Sequence, residues 1–303
     1  MCESEGVLLS WCRVSLSPLK LIFESLQILS SNPLPFTSIM LLTTLPLSTL
    51  LISQSITTQP LTARIHRLES LAHHAPTRFE ARHVWRESRH DASSLLRVKA
   101  LFAIPSFFLS LAAAISAVHS TLTPAPTLHS AASALKHHSM RLSVTTIYIY
   151  ALLLAFSPIP RAIAALTGSP LLVFLIGSGL EVYLMAVTSV ALVVSVSEER
   201  FGWDAIRVAS GLMEGNRVCG WVLSGLFVLG SSSIGSKVER LMDGEDSIGV
   251  EDKAVLIVSY GFMVLWSYVI MTVFYCHCRK QHPVKEAQPD PDELPLQQVN
   301  NSL

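Results

Sequence analysis

Apolar residues fall in six long runs separated by polar stretches, at 36–56, 98–118, 142–160, 171–196, 218–235 and 254–276. The hydrocarbon of a bilayer is about 30 Å thick and takes about 20 helical residues to cross. Each run meets or approaches that length. A helix satisfies its own backbone, which is the condition for lying in lipid. The pattern therefore predicts an all-α fold: a polytopic membrane bundle of about six transmembrane helices, with amphipathic helices at its interface. The third run should break near Phe156, because Pro158, Pro160 and Arg161 follow it. The fifth is short. Its glycines (Gly220, Gly225, Gly230, Gly235) recur every five residues, so they spiral around a helix instead of forming one G-x-x-x-G stripe.

The polar stretches have patterns of their own. Residues 1–35 form an amphipathic N-terminal region ahead of the first span. Ser17-Pro18 reads as a helix start, with proline at the first helical position. Leu19, Ile22, Phe23, Leu26 and Leu29 then recur at three and four. This helix is too polar to span; it either lies in the interface or packs on the bundle. The connection 59–97 is the longest, and two soluble helices are expected in it, at 62–73 and from 78 into the second span. The tandem pairs His73-His74 and His137-His138 lack the i, i+3 or i, i+4 spacing of a metal site on a helix, so they read as solvated. The tail 277–303, rich in proline and acid, reads as disordered.

Composition agrees with the pattern. Charged residues make up 15 % of the chain and mean hydropathy is +0.47, against about 25 % charge in soluble proteins. Net charge is zero, which gives no electrostatic case for nucleic acid. The acidic start (Glu3, Glu5) does not resemble a secretory signal. The five cysteines follow no disulfide or metal spacing. Cys276 and Cys278 read as two small apolar residues at a helix end, with reversible palmitoylation as the alternative. Six spans put both termini on one face. That face holds ten Lys and Arg and the other twelve, a balance that the positive-inside rule does not resolve. The Arg279-Lys280 flank directly after the last span favours cytosolic termini. Both an endomembrane and the plasma membrane fit.

Two polar features stand out. Glu181 lies near the middle of the fourth span, where a carboxylate costs about 2.5 kcal/mol or more unless paired or neutralised. Gly177, Glu181, Thr188 and Ser195 share one side of that helix, a stripe expected to face other helices or a cavity. It reads as a protonated acid bonded to a neighbouring hydroxyl, because no cation lies inside another span. The alternative is an ion, proton or headgroup site. The second feature follows the fourth span: Glu198, Glu199, Gly202 and Trp203, then a short amphipathic helix over 203–214, then Gly215 and Asn216. Gly215 is placed to close that helix in the left-handed conformation. Trp203, Ile206 and Met213 are expected to share an apolar face against the membrane.

These segments resemble a plant family of six-span, multi-pass membrane proteins to which no activity is assigned. The resemblance rests on the "ESLQIL" stretch at 24–29 and on the pattern VVSV-x-E-E-x-x-G-x-x-A-I followed by a helix ending in EGN, here at 193–216. Ser197 stands where the family carries an apolar residue. The resemblance implies the six-span topology and supplies no chemistry.

No residue is singled out as catalytic, cofactor-binding or metal-binding, and no cofactor is expected. The expected function is that of a non-enzymatic interaction or organising component of a membrane. Its partners would be membrane lipids and further proteins, not nucleic acid. The alternatives are a transporter or channel-like protein using the stripe around Glu181, and a lipid-modifying membrane enzyme. A cavity reaching Glu181 would favour transport, a lipid-open groove beside Glu198 an enzyme, and a packed bundle the first reading.

Overall fold

The computed structural model describes residues 18–74, 78–123, 128–156, 158–159, 162–163, 170–198, 200–242 and 250–281. Among them every element is helical. Helix α1 covers 18–31. Asn32 breaks it ahead of Pro33, since the residue before proline is pushed out of the helical region. α2 (Pro33–Ile39) runs through a π-helical turn (Met40–Thr44) into α3 (Leu45–His74). There follow α4 (Arg78–Leu122), α5 (Leu128–Phe156), α6 (Pro170–Ser197), α7 (Trp203–Leu212), α8 (Arg217–Met242) and α9 (Val250–Gln281).

Six stretches are long and apolar enough to cross a membrane: Pro33–Ile65, Val84–Leu122, His138–Phe156, Leu171–Ser197, Arg217–Val238 and Glu251–Lys280. These are the six predicted from the apolar runs, and the third ends at Phe156 ahead of its prolines, as expected. The four glycines of α8 do spiral. A side chain on Gly220 would meet Met213 and Phe274, on Gly225 it would meet Val182, on Gly230 Met263, and on Gly235 nothing.

The connection 59–97 is more regular than a loop. α3 and α4 continue their spans without interruption, and α3 passes through Pro60. α4 has 45 residues, about 67 Å at 1.5 Å each, more than twice the hydrocarbon thickness. Arg64 on α3 pairs with Glu87 and Asp91 on α4, each at 3.0 Å, and ties the two helices together. At the other end of the chain, residues 277–281 belong to α9 and not to a polar tail. Ser17, Glu199 and the tail from 282 lie outside the described residues.

The bundle has two unlike ends. We call the motif end the one where α6 and α9 finish, because Glu198 and Arg279 meet there. The main core lies towards this end, built from Leu111 to Val118 on α4, Leu142 on α5, Val187 to Val196 on α6, Ala205 to Leu212 on α7 and Ile270 to Phe274 on α9. At the far end Leu154, Leu171, Phe174, Leu229 and Val255 are exposed.

α1 packs on the bundle, the second of its two expected placements. It buries Leu21 and Ser25, with Ile22 and Ile28 against the cores. The indole Nε1 of Trp266 donates to Ser25 Oγ at 3.0 Å. Trp266 stands 15 residues after Glu251 and 14 before Lys280, the limits of the last span, so α1 reaches to within an indole's length of mid-depth. Its predicted apolar face is divided. Leu19, Phe23 and Leu26 point outward and are exposed.

Candidate functional site

The segment after α6 is shaped by one glycine. Gly202 has φ 64° and ψ −132°, a region other residues avoid. Its N–H donates to Thr145 Oγ1 on α5 at 2.9 Å, in a buried position. A side chain there would stand 3.2 Å from the Tyr148 ring. The tight fit pins the turn against α5 and aims α7 back along α6. Small residues on α7 (Ala205, Ala209) are fully buried and let the two helices approach.

α7 ends near the predicted place. Gly215 has φ 95°, as expected for a left-handed turn, and the carbonyl of Asn216 accepts from Gly220 N as α8 begins. One part of the expectation is corrected. Trp203 is exposed, but Ile206 and Met213 are buried. They lie about 60° or more around the helix from Trp203, at 100° per residue, and that offset turns them to the protein instead of the lipid.

Glu198 is the hub of the motif end. Its Oε1 accepts from the Tyr275 hydroxyl at 2.7 Å and lies 3.4 Å from Arg279. Its Oε2 lies 3.7 Å from Arg200, which also pairs with Asp204 at 3.4 Å. Only 14 % of the Glu198 side chain is exposed. Both oxygens are thus occupied, and the carboxylate ties the end of α6 to the end of α9. Tyr275 and Arg279 were not among the sequence candidates. They lie one turn apart on α9, 77 residues or more from Glu198, and a tyrosine one turn before an arginine at a span end was the available signal. Beneath this cluster, Asn216 and Cys219 adjoin the buried thiol of Cys278. The burial of Cys278 fits the reading of a small apolar residue.

The predicted stripe on α6 is covered only in part. Thr188 and Ser195 are buried and Gly177 is partly covered, but Glu181 is exposed. The four residues do share one side of the helix. What changes is the cover: α7 and the other core helices flank α6 near its end and leave its first half bare. Thr188 satisfies its hydroxyl on the Leu184 carbonyl at 2.7 Å, while the buried Ser195 hydroxyl has no partner among the described residues.

A separate cavity of about 130 Å³ lies between α6, α8 and α9. Ser189, Ser224 and Tyr260 line it, the Ser224 hydroxyl without a partner among the described residues, and Met185 and Met263 form flexible walls. Glu181 does not line it; it stands one turn from Met185 and is exposed. No group of three or more His, Cys, Asp or Glu among the described residues is placed to hold a metal.

Fold and site together define a multi-pass membrane protein, an all-α bundle braced at one end by a carboxylate clamp. The chain belongs to the family described as "Domain of unknown function (DUF8558)", whose model matches residues 15–286. No curated protein and no solved structure matches it.

Proposed function

We propose that the protein is a non-enzymatic interaction or organising component of its membrane, which meets another transmembrane helix along the outer face of α6. The observation that carries this is Glu181. It stands 11 residues after Pro170 and 16 before Ser197, in the uncovered first half of the span. An acidic side chain at such a depth costs about 2.5–3.5 kcal/mol in lipid. A neighbouring helix with a hydrogen-bond donor removes that cost. Within the chain, Glu198 is already committed to Tyr275, Arg279 and Arg200, so it serves the reading of a braced scaffold. The α3–α4 hairpin adds a second contact surface beyond the membrane. A photoreactive residue in place of Phe174, exposed two turns before Glu181, tests the reading. Protein adducts that vanish in Glu181→Leu support it; lipid adducts alone, with or without that substitution, defeat it.

A transport reading draws on the cavity and its unpartnered Ser224 hydroxyl. It requires Ser224→Val to abolish flux of a solute while Glu181→Leu leaves it intact. We further propose that the termini are cytosolic. α1 begins and α9 ends at one end of the bundle, and the Arg279-Lys280 flank suits that side. Glycosylation acceptors placed in each tail and loop decide it, and a glycosylated terminus would reverse the orientation.

A further inference from the structure

At the motif end, the first turns of α1 and the last turn of α9 enclose a cleft of about 380 Å³ lined by Lys20, Phe23, Glu24, Gln27, His277 and Lys280. Its size lies within the range of small-ligand sites. Lys20 and Lys280 have no ion pair or hydrogen-bond partner among the described residues. With Glu24 opposing them, the fixed side-chain charge is two positive against one negative, leaving one unit positive. The helix dipoles do not alter this. The positive end of α1 and the negative end of α9 both open here and offset one another, so the side chains decide the sign.

Depth and surroundings narrow the ligand further. Lys280 is the last residue of the sixth span, which places the cleft at the level of lipid headgroups. Leu19 is 62 % and Phe23 72 % exposed on α1 beside it, an apolar flank where acyl chains would lie. We infer that the cleft binds the phosphate of an anionic glycerophospholipid, with Lys20 and Lys280 on the phosphate and Glu24 or Gln27 accepting from a headgroup hydroxyl or ammonium. The excess of one positive charge suits a headgroup carrying one net negative charge. Free phosphate shares the chemistry but makes no use of the apolar flank.

The test uses the full chain, reconstituted in phosphatidylcholine with and without phosphatidylglycerol and examined by native mass spectrometry for retained lipid. Phosphatidylglycerol is expected to be retained over phosphatidylcholine. Lys20→Ala with Lys280→Ala should weaken retention about 30-fold, near fivefold for each lysine, and Lys20→Arg with Lys280→Arg should restore it. Circular dichroism confirms that each variant is folded. Equal retention of the two lipids by the unaltered protein overturns the inference, as does undiminished retention in the double alanine variant. Displacement of phosphatidylglycerol by millimolar inorganic phosphate would also overturn the lipid assignment, because it would show that the acyl chains contribute nothing.

Discussion

The two halves of α6 are both strongly apolar and have opposite surroundings. From Leu184 to Val196 most residues are buried, under α7 and against α4, α5 and α9. From Leu171 to Glu181 the helix is largely bare, with Leu171, Leu172, Phe174, Leu175, Ile176 and Glu181 exposed. One half is held by the protein and the other is left to lipid or a partner. The polar groups follow the same division. Glu198, just past the covered half, is fully engaged within the chain; Glu181, in the bare half, is left uncovered. The difference separates residues that build the bundle from residues available to something outside it.

That separation can be broken by substitution. The largest effect is expected from Gly202→Ala, which combines a backbone conformation unsuited to alanine with a contact against Tyr148; about 2–4 kcal/mol of stability should be lost, read as a lower melting temperature in detergent. Gly179→Ala, in the bare half with nothing within 4 Å of the added carbon, should be neutral or stabilising by up to about 1 kcal/mol. If the two glycines respond alike, the contrast between the halves is wrong. Next comes Glu198→Ala, which strands Tyr275 and Arg279 and should cost about 2–3 kcal/mol; Glu198→Gln should cost less, because the amide still accepts from the phenol. Thr145→Val removes the acceptor of a buried N–H and should cost about 1–2 kcal/mol. Smallest is Glu181→Leu, expected to shift stability by no more than about 0.5 kcal/mol while abolishing the crosslinks from position 174. A Glu181→Leu variant that fails to fold would show that the carboxyl has a seat inside the bundle after all.

The sequence made the spans legible because length and apolarity decide them. It also marked Phe156 as a stop, Trp203 as a start and Gly215 as a left-handed turn, since proline and glycine act locally. The exposure of Glu181 was not legible. In a soluble protein the apolar face of a helix points to the core, but lipid is as apolar as a core. The wheel of α6 therefore groups Glu181 with Thr188 and Ser195 without telling which of them is covered. The division of the α1 face into Leu21 inward and Phe23 outward escaped for the same reason. The partners of Glu198 escaped for another: Tyr275 and Arg279 reach it only through tertiary packing between α6 and α9, which no local pattern encodes.

The hydrogen bond between Ser25 and Trp266 joins residues 241 positions apart. A ribosome adding 5–20 residues per second needs roughly 12–48 s to cover that distance. α1 is thus made well before the residue that seats it. Through that interval the growing chain holds an amphipathic segment with no groove to enter, and the apolar side bearing Leu19, Phe23 and Leu26 can keep it on the membrane surface meanwhile. Docking of α1 then waits on α9: a nascent protein stalled before Trp266 has the preceding spans and still lacks the seat for α1.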